Sequence, residues 1–271
     1  MTNQSPDLAP LSFEPTVQAV TTGLGSPTKP RLLDLFCCEG GAAVGYARAG
    51  FDVVGVDLLP KYRKRYPFKF YASNAVRLLD SDNHGWLRLK FDAVHASPPC
   101  QHASAGTRAA KDRGRYPRLI EPVRERLEAL GLPYVIENVS GSALRDPLVL
   151  CGTMFGLTAI DDDGERVEMW RHRHFESNVP LLAKWSTPYG GCAHGRYSKQ
   201  VAGSYGGARR DKAEAREVRH GGYVPSKAVQ ERLLGIDWMT QYGLYQSVPP
   251  AYTEYVGEQL RAHLDAQKEA A

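Results

Sequence analysis

Two short segments, Ser97-Pro98-Pro99-Cys100-Gln101 and Glu137-Asn138-Val139, each follow directly on an apolar run, and this pairing constrains the fold more than any other feature of the chain. Phe91-Asp92-Ala93-Val94-His95-Ala96 leads into the first and Leu132-Pro133-Tyr134-Val135-Ile136 into the second. Between them, from about Arg118 to Leu130, lies an amphipathic helix pattern. Strand, helix and strand in that order form a βαβ unit with parallel strands. Ligands of open parallel sheets bind beyond the carboxyl ends of the strands, so a thiol and a carboxylate should face one crevice.

A nucleophile and an acid placed together suit attack on an electron-poor heteroaromatic ring such as cytosine, whose carbon 5 is a poor nucleophile by itself. If a thiolate adds to carbon 6 while an acid keeps N3 protonated, the ring becomes an enamine and carbon 5 can accept an alkyl group. Cysteine suits the first role because its thiolate is both a strong nucleophile and a good leaving group. Pro98 and Pro99 restrict the backbone that would aim it.

A second ligand site is expected nearer the N-terminus. Arg31-Leu32-Leu33-Asp34-Leu35-Phe36 reads as an apolar strand, followed by the turn Cys37-Cys38-Glu39-Gly40-Gly41 and a helix pattern through Ala42, Val44 and Ala47. Glycines there let the backbone approach a nucleotide-like ligand at a helix N-terminus. Another strand, Phe51 to Val56, ends at Asp57, where a carboxylate can accept two ribose hydroxyls.

These segments, with Asp34-Leu35-Phe36 before them and Arg171-His172-Arg173 after, resemble the C5-cytosine DNA methyltransferase family in small phage or restriction-modification form, from about Arg31 to Leu260. The resemblance implies an α/β fold: a Rossmann-like S-adenosylmethionine-dependent methyltransferase core with a small target-recognition region. It implies that Cys100 is the nucleophile, that Glu137 contacts N3 and the exocyclic amine of a flipped base, and that Arg171 and Arg173 hold the base carbonyl and order the cysteine loop. S-adenosylmethionine would be held by Asp34, Phe36, Cys38, Glu39, Gly40, Gly41, Asp57, Leu58, Asn74 and Pro98. Pro99, Gln101, Asn138, Arg209 and Arg210 are expected to meet double-stranded DNA.

Four places depart from the family pattern. Cys38 stands where glycine is usual, and Asn74 near an aspartate that contacts the adenine amine. Met169 replaces a frequent glutamine, and Tyr245-Gln246-Ser247-Val248-Pro249 replaces a Gly-Asn segment. Asparagine can still accept a hydrogen bond from an amine. The alternative functions are the same chemistry on transfer RNA, and a catalytically silent or altered-donor DNA-binding relative.

A chain of 271 residues can bury a substantial core, and a net charge of +4 with a pI near 8.7 fits a nucleic-acid partner without requiring one. Five cysteines without a disulfide spacing point to a reducing compartment. The N-terminal residues lack an apolar run, and no segment is long enough to span a membrane. A monomer in the cytoplasm of a bacterial or phage-infected cell is expected.

Residues 1–29 read as a disordered tail, 30–178 as the catalytic domain, 179–225 as the target-recognition region, and 226–271 as C-terminal helices packing back on the catalytic domain. Between Tyr197 and Gly222 six basic residues face three acidic ones, which suits a loop that grips phosphates. The Gly- and Ala-containing loop after Cys100 carries Arg108, Lys111, Arg113 and Arg115. Cys37, Cys38 and Cys151 read as packing residues. Cys192 and His194 lack a second ligand pair nearby, so no metal is expected.

Overall fold

The computed structural model describes residues 29–99, 118–184, 191–194, 201–202 and 224–270. Cys100, Gln101, the basic loop after them, Arg209, Arg210, nearly all of the expected tail and most of the expected recognition region lie outside the described residues. A seven-stranded sheet forms the centre, in the order β3-β2-β1-β4-β5-β9-β6. Its strands are β1 (Arg31–Leu35), β2 (Asp52–Asp57), β3 (Lys69–Ala72), β4 (Ala93–Ala96), β5 (Tyr134–Asn138), β6 (Leu148–Leu150) and β9 (Arg173–Ser177). The first five in spatial order are parallel, and β9 runs antiparallel to both β5 and β6. This is the Rossmann-like α/β arrangement expected.

The apolar runs are continuous because both faces of the sheet are covered. Leu32, Val53, Ala93 and Val135 point to one side, where they join Tyr46, Phe175 and Tyr252. Their neighbours Leu33, Val54, Val94 and Ile136 point to the other, against Leu87, Val123 and Leu127. The chain leaves β1 toward β2 and β3 and later returns on the opposite side through β4 and β5. The crevice of such a sheet therefore opens between β1 and β4.

Seven α-helices are described. The first is α1 (Gly41–Arg48), and α2 (Ala75–Leu78) and α3 (His84–Lys90) follow before β4. Helix α4 (Ile120–Leu130) buries Ile120, Val123, Leu127 and Leu130 at helical spacing and ends at Gly131, whose φ of 73° a side chain would disfavour. Arg124 shares this buried face. Its Nε and Nη2 donate to the two Glu176 carboxylate oxygens at 2.5 and 2.8 Å, and Nη2 also donates to the Ala143 carbonyl.

The C-terminal helices are α5 (Lys227–Leu234), α6 (Gln241–Gln246) and α7 (Pro250–Glu269). Helix α7 lies directly on α1, as expected of a closing helix. A Cβ on Gly45 would stand 2.2 Å from the Pro250 carbonyl oxygen, and one on Gly257 would stand 2.8 Å from the Ala49 Cβ. The Thr253 hydroxyl donates to the Ala42 carbonyl across the contact. Thr240 caps helix α6 by accepting from the Gly243 N–H at 3.0 Å.

A second sheet, β10-β8-β7, consists of β7 (Thr158–Ile160), β8 (Arg166–Met169) and β10 (Val201–Ala202). Its small core joins Val167 and Met169 to Val229, Leu233 and Leu244 of α5 and α6. Met169, the residue that departs from a glutamine, is fully buried there. The sheet spans the boundary expected near residue 178, because β10 pairs in register with β8. No helix among the described residues is long and apolar enough to cross a membrane.

Candidate active site

Glu137 and Asn138 are the last residues of β5, so the strand itself, rather than a loop, presents them at its carboxyl end. The Glu137 side chain is 7% exposed, and the Arg173 Nε of neighbouring β9 stands 2.9 Å from its Oε1. Burial pushes the Glu137 carboxyl above its ordinary value, opposed by Arg173, by a hydrogen bond from Ser97 and by Arg171. A carboxyl held between these influences can carry a proton or release it.

Behind Glu137 lies a chain of buried polar groups. The Tyr46 hydroxyl is 2.9 Å from His95 Nδ1, and His95 Nε2 is 2.8 Å from the Ser97 hydroxyl oxygen. Burial drives the His95 pKa down to about 3, so the ring is neutral and one nitrogen must accept. When Ser97 donates to an ionised Glu137, the order is fixed: Tyr46 donates to Nδ1, and Nε2–H donates to Ser97. Protonation of Glu137 is compatible with the reversed order.

Asn138 is engaged within the protein at both ends. Its Nδ2 donates to the Pro98 carbonyl at 2.9 Å, and its Oδ1 accepts from the Val139 N–H at 3.0 Å. It therefore ties the β5 terminus to the segment that runs into Cys100. Pro98 is buried and Pro99 exposed. Arg171 is 3% exposed, and its guanidinium donates to the Leu244 and Tyr245 carbonyls. The departing Tyr245–Pro249 segment is thereby held against Arg171.

The donor turn follows β1. Phe36 and Cys38 adopt φ of 59° and 48°, in the left-handed region that non-glycine residues rarely occupy. The glycine usual at the Cys38 position is explained by that geometry. Asp57 Oδ2 accepts from the Cys38 N–H at 3.1 Å and Oδ1 from the Leu59 N–H at 2.9 Å. Leu58 is 56% exposed beside it.

Glu39 joins this turn to the C-terminal helices. Its carboxylate accepts from the Thr240 N–H and hydroxyl, both at 2.7 Å, which clasps the turn to α6. The Asn74 oxygen likewise accepts from the Val76 and Arg77 N–H groups as the cap of α2. It is not free to accept from an adenine amine, and the side chain can address a ligand only through its NH2 donor.

Asp34 is buried with one oxygen accepting from Tyr66 at 3.0 Å. Burial lifts its pKa to about 8, against the Tyr66 hydrogen bond and with Asp57 adding to the rise. Burial also pushes the Cys37 thiol up and the Cys38 thiol to about 11, so both are inert packing groups at neutral pH. Asp57 and the exposed Leu58 stand at the carboxyl end of β2, beside a turn whose Gly40 and Gly41 are buried against Tyr66, Pro67 and Ser247.

Tyr46, His95 and Ser97 had not been singled out as functional. A lone histidine inside an apolar run gives no sequence signal of its partners, although its even spacing from Ser97 placed both on one face of the strand.

No family model matches the chain. It is 31% identical over 123 residues to the Type II methyltransferase M.XorII of Xanthomonas oryzae pv. oryzae, over 42% of this chain and 29% of that protein. The chain thus matches less than a third of that relative's length. Among solved structures, it resembles an E. coli prophage-encoded protein described as a DNA modification methyltransferase, with a TM-score of 0.54, 16% identity, and coverage of 87% of this chain and 99% of the other. It also resembles Spodoptera frugiperda DNMT2, with a TM-score of 0.53, 14% identity, and coverage of 86% and 99%. Those likenesses establish a shared methyltransferase fold. The motif order, the match to a Type II methyltransferase and the shared fold agree with a resemblance to the C5-cytosine methyltransferase family.

Proposed function

We propose that this chain is a DNA methyltransferase that modifies carbon 5 of a cytosine turned out of the duplex. The observation that carries the proposal is Glu137, buried beside Arg173 with its carboxyl lifted above the ordinary range, on the strand end that Asn138 ties to the segment leading into Cys100. A carboxyl of this kind is suited to protonate a ring nitrogen.

Cys100, as thiolate, forms a bond to carbon 6, and Glu137 holds the compensating proton at N3. Carbon 5 becomes nucleophilic and gains the methyl group. Loss of the carbon 5 proton then expels the thiolate and restores the aromatic ring. S-adenosylmethionine supplies the electrophilic methyl group when bound. The backbone turn from Phe36 to Gly41, Asp57 and Leu58 would hold it, with the Asn74 NH2 donating to a ring nitrogen of the adenine. Arg171 and Arg173 position the base, and Arg209 and Arg210 meet DNA. The protein acts as a monomer in the cytoplasm of a bacterial or phage-infected cell.

The test is incubation with labelled S-adenosylmethionine and mixed-sequence duplex DNA, with transfer RNA in parallel, followed by mass spectrometry of the nucleosides. 5-Methylcytosine in DNA is expected, and Cys100→Ser should lose it while still binding the donor, because a hydroxyl is a far weaker nucleophile. Label in transfer RNA alone would move the same chemistry to RNA. Near-normal turnover by Cys100→Ser would refute the covalent route.

A further inference from the structure

Two cysteines and two histidines from three distant stretches of the chain converge on one point. Cys151, His172, Cys192 and His194 each offer one ligand atom, and these atoms all lie within 4.8 Å of one another. Cys151 directly follows β6 and is fully buried. His172 stands between Arg171 and Arg173, and Cys192 and His194 come from the short described stretch 191–194. The sequence displays only the Cys192 and His194 pair; the fold supplies the second pair.

The two close separations approach those of a tetrahedral site. Cys151 Sγ is 3.4 Å from His194 Nε2, and His172 Nε2 is 3.1 Å from Cys192 Sγ. With Zn–S near ~2.3 Å and Zn–N near ~2.0–2.1 Å, adjacent ligand atoms around zinc stand roughly 3.3–3.8 Å apart. Both cysteines are free thiols. The surroundings fix the ligands, as metal sites require. The Trp170 ring stacks on His194 at 4.3 Å and 9°, and His172 meets His194 edge-on at 5.2 Å. Thr153 links two ligand segments: its hydroxyl donates to Cys151 Sγ and accepts from the Ala193 N–H at 3.2 Å.

We infer that Cys151, His172, Cys192 and His194 form a structural zinc site that fastens the segment bearing Cys192 and His194 to the strand end bearing Arg171 and Arg173. Four protein ligands close the site, leaving no position for substrate, so its role is architectural. Binding replaces the two thiol protons, which leave to solvent, and the two thiolates balance the charge of the ion. No net charge is then added beside the two arginines. The inference is independent of the proposed reaction, since zinc content does not require turnover.

The experiment uses the whole chain, purified under reducing conditions without chelator, exposed to zinc and then desalted. Elemental analysis should find about one zinc per chain, and Cys192→Ser and His194→Ala should each lose it. Cobalt replacement should give the visible bands of tetrahedral cobalt together with sulfur-to-cobalt charge transfer, which also tests the unaltered protein should a variant fail to fold. Wild-type protein without bound zinc and without those bands would overturn the inference. So would full zinc retention in the Cys192→Ser, His194→Ala double variant, or a Cys151–Cys192 disulfide in the reduced preparation.

Discussion

Two buried arginine–glutamate pairs meet on β9, and they are constructed for different ends. At Glu176 both carboxylate oxygens meet the Arg124 guanidinium, and the Arg145 N–H adds a third donor at 2.7 Å. At Glu137 a single Arg173 Nε approaches, and burial still lifts the carboxyl above its ordinary value. The register separates the two. Glu176 lies opposite Ile136 and Glu137 opposite Phe175, so the pairs occupy opposite faces of the sheet. The Glu176 pair is matched donor for acceptor, whereas Glu137, at a strand end with its carboxyl lifted, is poised to exchange a proton.

Removing the poised carboxyl should have the largest effect. Glu137→Gln is expected to lower turnover by about 10²- to 10⁴-fold, measured by single-turnover methylation with folding monitored by circular dichroism. The pH response of stability gives a second reading of the same residue. A raised carboxyl favours the fold fully below its ordinary value of 4.5, and that contribution is lost as pH rises through the folded value. Glu137→Gln should therefore lose less stability than wild type over that window in denaturant titrations.

Breaking the matched pair should act on stability instead. Arg124→Met leaves Glu176 buried without its partner and is expected to cost about 3–5 kcal/mol, with turnover per folded molecule little changed. Replacing both residues by apolar ones should recover much of the loss. A large defect in turnover, with stability intact, would erase the contrast between the pairs.

A smaller effect is expected at Ser97. Its hydroxyl stabilises the ionised form of Glu137, so Ser97→Ala should move the basic limb of the pH–rate profile upward, as a pH series of single-turnover rates would show. The smallest change concerns Cys38. Glycine relieves its left-handed backbone, and Cys38→Gly should raise stability by about 1 kcal/mol with little change in donor affinity, measured by thermal unfolding and calorimetry.

The poised carboxyl was visible in the sequence and the matched one was not. Glu137 ends an apolar run beside a recognisable motif, while Arg124 interrupts a helix face where a long polar residue reads as solvated. Its partner stands 52 positions away, and such pairings leave no local trace. The strands of the main sheet were legible because double-sided burial makes their apolar runs continuous. The strands β7, β8 and β10 are short and mixed in polarity, so neither periodicity nor composition announced them. Glu39, Asn74 and Asn138 sit in motif positions, yet each is engaged by backbone or by a neighbour that only the folded chain brings near. The same holds for Cys151 and His172, whose relation to Cys192 and His194 exists only in three dimensions.

The seating of α7 on α1 sets a timetable for synthesis. The ribosome releases the donor turn and α1 more than two hundred residues before the helix that covers them. Until Pro250 and the residues beyond it emerge, Gly45 and the neighbouring face of α1 have no cover, and the Glu39 clasp also waits for Thr240. The sheet and α1 are therefore made long before the helix that seats on α1, and the Phe36–Gly41 turn reaches its final form only once Thr240 and Pro250 have emerged.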